Sequence, residues 1–260
     1  MPTLGEILGQ FSGAGMEQQV PAIEGWGQGR TLYGGITAAL STHAALRAMP
    51  DLPPLRSAQF AFVGPAAGPL TFTVELLRRG RSSAIVSVDC RTQDGLAARS
   101  LLVFGTARES ALDYDLMPMP EVPGPDGLED FHERPPRALS FPLNFDMKMV
   151  AGNRPLAGGD PDLTVWTRLK DETGVDPLIS LIALADVLPP PAVVGLDKWA
   201  PLSTITWAVD IFQPISEGGW HLFRSAAEQT RDGYSLQTMT LWTAEGHRVV
   251  AARQVVAIFG

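Results

Sequence analysis

Asp186 closes the run Asp176-Pro-Leu-Ile-Ser-Leu-Ile-Ala-Leu-Ala-Asp186, at a position where local physics disfavours an acid. Asp176 fits an N-cap and Pro177 the first helical position, so the run reads as a helix. The last turn of a helix exposes carbonyl oxygens, and a carboxylate there costs roughly 0.3–1 kcal/mol where Lys or Arg would stabilise. Acids set against local preference occur at functional sites, and the chemistry of this one would be proton transfer as a general base. The alternative is a solvated turn residue introducing Val187-Leu-Pro-Pro-Pro191, and periodicity alone favours it. A second candidate is Gly34-Gly35, ahead of a helix from about Ile36 to Met49. Bare N–H groups at a helix start bind anions, although the same glycines also suit a plain turn.

Other chemistries fall to inventory. No Gly-x-Ser-x-Gly elbow of an α/β-hydrolase occurs. His43, His132, His221 and His247 show no metal-ligand spacing, and Cys90 is the single cysteine, so neither a metal site nor a metal cofactor is expected. The glycines before Ile36 form no GxGxxG fingerprint, and no βαβ alternation follows them. A net charge of −8 argues against a nucleic-acid surface. No targeting segment is evident, and no apolar run approaches the roughly 20 residues that span a bilayer, so no membrane partner is expected. With one cysteine, a reducing cytoplasm is the expected compartment.

These residues must be positioned by a chain of 260 residues, long enough for one large domain or two fused small ones. Thr3-Leu-Gly-Glu6 fits a capping box, and Leu4, Ile7, Leu8 and Phe11 recur at helical spacing. One or two short strands are expected over residues 16–26. In the Ile36–Met49 helix, Ile36, Leu40, Ala44 and Ala48 make a small-residue face that can approach a sheet closely. From Arg56 to Glu109 the period changes to two, with Gly64-Pro65, Arg79-Gly80 and Asp94-Gly95 as turns, which predicts antiparallel strands. Residues 111–141, rich in proline up to Pro135 and Pro136, read as a wrapped or extended linker. Between Leu178 and Ala185 only Ser180 interrupts the apolar residues, so that helix is expected to be buried within a sheet.

The second half repeats the first. Arg78-Arg-Gly80 with Ser82 recurs as Arg231-Asp-Gly233 with Ser235, and Ala97-Ala-Arg-Ser100 recurs as Ala251-Ala-Arg-Gln254. The predicted fold is therefore α+β: two tandem antiparallel units, residues 1–110 and 142–260, each wrapping a central helix. This is a double hotdog. Hotdog hydratases place a His five residues after an Asp, and none of the four histidines has that partner.

The chain resembles the type II (TesB-like) acyl-CoA thioesterases over most of its length. The resemblance is carried by Gly34-Gly35, Phe60-x-Phe62-x-Gly-Pro65, Leu77-Arg-Arg-Gly80-Arg-Ser82, Ala185-Asp186, Ser203-Thr204-Ile205 running to Pro214, and Gln254. It departs where that family carries Asp-His and an aromatic-His-Arg-Pro ending, here Thr206-Trp207 and Phe212-Gln213-Pro214, and the chain stops at Gly260 without the fuller Gln-Glu-Gly ending. The resemblance implies that Asp186, Thr204 and Gln254 hold a hydrolytic water, with acyl-CoA as substrate and a homo-oligomer, a dimer or dimer of dimers, as the assembly. Gly34 and Gly35 then become candidate donors to the thioester oxygen, one such donor being worth roughly 2.7–4 kcal/mol. Arg30, Arg78, Arg79 and Arg81 are candidates for the acyl-CoA, or else solvated turn residues. The competing function is a non-catalytic hotdog protein that binds an acyl or aromatic ligand.

Overall fold

The structure, a computed structural model, describes residues 1–132, 138–212, 215 and 218–259. Pro135, Pro136, Gln213, Pro214 and Gly260 lie outside the described residues. The first unit comprises α1 (Leu4–Leu8), β1 (Ser12–Ala14), β2 (Glu17–Val20), β3 (Gly27–Gln28), β4 (Thr31–Leu32), α2 (Gly34–Ala48), β5 (Leu55–Phe62), β6 (Leu70–Arg79), β7 (Ser83–Thr92) and β8 (Gly95–Gly105). The second comprises β9 (Phe145–Gly152), β10 (Asp162–Leu169), α3 (Pro177–Leu184), β11 (Leu202–Ile211), β12 (His221–Arg231), β13 (Tyr234–Thr243) and β14 (Arg248–Ile258). The capping box on α1 is present in full.

The two units share one twelve-stranded antiparallel sheet, in the order β1-β2-β6-β7-β8-β5-β11-β14-β13-β12-β10-β9. Its seam is the β5–β11 pair, where Phe60 lies opposite Trp207, and the order reads alike outward from that seam in both directions. One row of side chains crosses it: Val88 and Ser100, then Phe60, Trp207, Gln254 and Gln237. Ser100 and Gln254 are thus structural mates, each cross-strand from the seam residue of its own unit. All six are buried and face the two central helices.

Those helices are buried for different reasons. In α3 nearly every residue is apolar, and Asp176 caps its start with a bond from the Leu178 N–H at 2.8 Å. In α2 the buried Thr37, Ser41 and Thr42 would be costly unpaired, and each gives its hydroxyl to the carbonyl four residues back, at 2.9 to 3.2 Å. The start of α2 meets the end of α3, while His43, further along α2, lies near Asp176 at the start of α3. The two helices therefore run antiparallel.

The described chain from Thr106 to His132 wraps rather than dangles. Phe131 is buried, its N–H bonds the Met147 carbonyl at 2.9 Å, and Trp166 and Trp242 give their indole N–H groups to Pro123 and Met117. No described helix is long and apolar enough to cross a membrane.

Candidate active site

Asp186 lies just beyond α3, whose last residue is Leu184 and whose C-cap is Ala185. Its own helix disfavours a carboxylate there, and the compensation comes from the other half of the chain. The N-cap residue of α2, Tyr33, offers no capping oxygen, so the N–H groups open at that helix start are not satisfied by their own side chain. Asp186 occupies that place: the Gly35 N–H faces its carboxyl and lowers its pKa. A helix N-terminus carries partial positive charge, so the acid that is misplaced on α3 is well placed on α2.

Gln254 reaches the same carboxyl from β14, across 68 residues of sequence, and its Nε2 donates to Asp186 Oδ1. Gln254 Oε1 in turn accepts from Gln237 Nε2 at 3.1 Å. Burial raises the Asp186 pKa to about 7, and the Gln254 and Gly35 N–H groups act against that rise. Asp186 nevertheless keeps partial exposure, so water can reach it. A carboxyl poised near 7 can both take a proton from water and release it at ordinary pH.

Tyr33 ties the end of α3 down. Its hydroxyl donates to the Ala183 carbonyl, one of the carbonyls left open by the helix end, and the Asp186 backbone N–H faces its oxygen. The ring is stacked on Phe141, with centroids 4.3 Å apart and planes 5° from parallel. Burial, with the nearby Asp186 charge, pushes the phenol well above its ordinary pKa, so Tyr33 is a neutral donor. The glycines permit this approach. A Cβ on Gly34 would lie 2.7 Å from Asp186 Oδ2 and 3.3 Å from the Phe62 ring, and one on Gly35 would collide with the Tyr33 hydroxyl and the Ala183 carbonyl.

Thr204 faces inward on β11 opposite Val256, two residues along β14 from Gln254, and a bulge between Thr204 and Thr206 shifts the register there. It is partly exposed, and its hydroxyl has no hydrogen-bond partner among the described residues. Of the four arginines, Arg30 is exposed in the turn between β3 and β4, at the Gly34 end of α2. Arg78, Arg79 and Arg81 stand elsewhere. Arg79 bonds Asp51 at 2.7 Å, beyond the last turn of α2, and this whole hairpin turn stands at the far end of a helix about 20 Å long. Sequence shows an arginine-rich turn, but only the pairing of β6 with β7 shows which end of the helix it occupies. The Gly35 N–H faces a carboxyl of the chain itself.

Tyr33 and Gln237 escaped the sequence reading, though each left a trace. Tyr33 stands where a helix start favours Ser, Thr, Asp or Asn. Gln237 alternates with Ser235, Met239 and Leu241 on the inward face of β13, where a polar residue is out of place. Among the described residues no group of three or more His, Cys, Asp or Glu could hold a metal ion.

Comparison with known proteins adds the context for this geometry. The family model described as the acyl-CoA thioesterase N-terminal domain matches residues 22–105, and the acyl-CoA thioesterase C-terminal domain model matches residues 116–258. None of the curated proteins matches the chain. Among solved structures, a hotdog-fold protein of unknown function from Alicyclobacillus acidocaldarius has a TM-score of 0.88 at 21% identity, covering 100% of this chain and 99% of that one. A tesB protein of Mycobacterium avium subspecies paratuberculosis has a TM-score of 0.82 at 18% identity, covering 99% and 100%. An acyl-CoA thioesterase II from Mycobacterium marinum has a TM-score of 0.80 at 21% identity, covering 99% of both chains. At these identities the structures speak for the double hotdog fold.

Proposed function

We propose, from the premise that this chain belongs to the acyl-CoA thioesterase family and is a thioester hydrolase, that Asp186 activates the hydrolytic water and acyl-CoA is the substrate. The observation that carries this reading is the Gln254–Asp186 contact at the open start of α2. Gln254 engages Oδ1, and Oδ2 beside Gly34 is the oxygen that takes the proton. The water oxygen attacks the thioester carbonyl carbon as its proton passes to Asp186, and the C–S bond then breaks. The thiolate takes the proton back, because a thiol is acidic enough to leave without a strong acid beside it.

Thr204, facing the same side of the sheet two residues along from Gln254, orients the water together with the Gln254 amide. Gly34 and the start of α2 supply N–H groups toward the carbonyl oxygen as charge develops on it. Arg30 stands at the right end of α2 to meet the CoA moiety. The proposal includes a homo-oligomer, a dimer or dimer of dimers, working in the cytoplasm, and a sedimentation mass of a single 27.9 kDa chain would remove that part.

The test is thiol release across short, long, branched and aromatic acyl-CoAs, with Asp186→Asn beside the parent protein. Turnover by the parent and its loss in the variant are expected. A parent protein inert toward every acyl-CoA, yet binding them, would favour the non-catalytic ligand-binding reading.

A further inference from the structure

We propose that Gln237 is a positioning residue: its side-chain N–H, directly across β13–β14 from Gln254, locks the Gln254 amide in the orientation that presents its own N–H to Asp186. This rests on the general-base reading of Asp186. An ionised carboxylate only accepts hydrogen bonds, so Gln254 must turn its NH2 toward Asp186 and its oxygen away. That oxygen is buried in the sheet face, where it needs a donor, and Gln237 Nε2 supplies one at 3.1 Å. A flipped Gln254 would set oxygen against carboxylate and NH2 against NH2, two repulsive contacts at once. Each amide therefore holds the other in register.

The other half of the chain serves as a control. The mates of Gln237 and Gln254 are Val88 and Ser100, so the polar chain exists in the unit that carries the acid and is missing from its duplicate. Gln237 is also expensive to keep. Its Oε1 is buried without a hydrogen-bond partner among the described residues, a penalty that the valine of the duplicate avoids. A polar residue retained at a stability cost, on an inward position, with one bond directed at Gln254, fits a role in setting the site.

Asp186 is faced from α2 by the neutral Tyr33 and the Gly35 N–H, and from β14 by the neutral Gln254. The amide orientation of Gln254 is thus the adjustable influence on when Asp186 ionises. With the lock removed, Gln254 is free to offer its oxygen instead, which favours the protonated acid.

The experiment uses the full chain and the acyl-CoA that the parent protein turns over fastest. Gln237→Met, which keeps shape and removes both polar atoms, should lower kcat about tenfold with KM within about twofold, as expected for a partly mispositioned base. The acidic limb of its kcat–pH profile should move to higher pH, and its melting temperature should hold, because one unpartnered buried oxygen, Gln237 Oε1, is exchanged for another, Gln254 Oε1. Gln237→Leu, which likewise removes the donor and fills a similar volume, should show the same loss and serves if the methionine variant folds poorly. In a Gln254→Ala background, Gln237→Met should have no further effect. An unchanged kcat and acidic limb, or an equal loss in the Gln254→Ala background, would overturn the proposal while Asp186→Asn stayed inactive. Full turnover in Asp186→Asn would overturn the general-base reading and this proposal with it.

Discussion

Replacing Asp186 with Asn should make the protein more stable at alkaline pH and far less active at every pH, and both effects follow from the same carboxyl group. Burial lifts its pKa from 3.8, the ordinary value of an exposed aspartate, to about 7, a difference of roughly three pH units, and at 1.36 kcal/mol per unit this is about 4 kcal/mol. Because the folded-state pKa is raised, the folded chain holds the proton more tightly than the unfolded one. The cost of ionising Asp186 is therefore absent below about pH 4, grows through the interval up to about pH 7, and is constant above it. Partial exposure lets water screen the charge, so about 2–4 kcal/mol is the working figure, or roughly 5–15 °C in melting temperature for a chain of this size. Asn cannot ionise and keeps an oxygen for Gln254. Asp186→Asn should accordingly match the parent near pH 4 and exceed it at pH 8. Turnover should fall about 10²–10⁴-fold, and in the parent it should rise through about pH 7 as the base ionises. Thermal melts at both pH values, alongside thiol release and acyl-CoA titration, measure all of this. Equal melting temperatures at pH 8, or unchanged turnover, would refute the placement of a buried, functional base at residue 186.

Gln254→Ala should lower kcat by about 100-fold, and Ser100→Ala, its mate across the seam, should leave turnover nearly intact; equal losses in a thiol-release assay would contradict the asymmetry of the two units. Gly34→Ala should cost activity far more than stability, because the added methyl would lie 2.7 Å from Asp186 Oδ2; steady-state kinetics beside a melting curve separate the two. Tyr33→Phe should destabilise the fold by about 1–3 kcal/mol by leaving the buried Ala183 carbonyl without its donor, measurable by chemical denaturation. Cys90, buried and with its thiol pushed up to about 12, should be silent toward a thiol reagent in the native protein and titrate as one thiol once the chain is unfolded.

Much of the architecture was legible in the sequence because it repeats at short range. Alternation over residues such as 84–90 places strands, the Asp176-Pro177 start and unbroken apolar run mark the buried helix, and duplicated turns with Ala-Ala-Arg segments identify two units. That same alignment sets Ser100 against Gln254, which the strand register reproduces. The isolated anomaly of an acid at a helix end singled out Asp186.

The sequence by itself determined which face each residue presents, since period two and period 3.6 are local properties of one strand or one helix. Only the tertiary structure decided which faces meet. The acid at the end of α3 is disfavoured by its own helix and favoured by α2, a segment far back in the chain whose open N–H groups carry the opposite partial charge. Likewise the Arg78–Arg81 turn is a run of positive charge in the sequence, and strand pairing sends it to the far end of α2, while Gln237 matters through one amide on the neighbouring strand. Contacts of this kind depend on sheet register and helix packing, summed over many residues, and no single window of sequence encodes them.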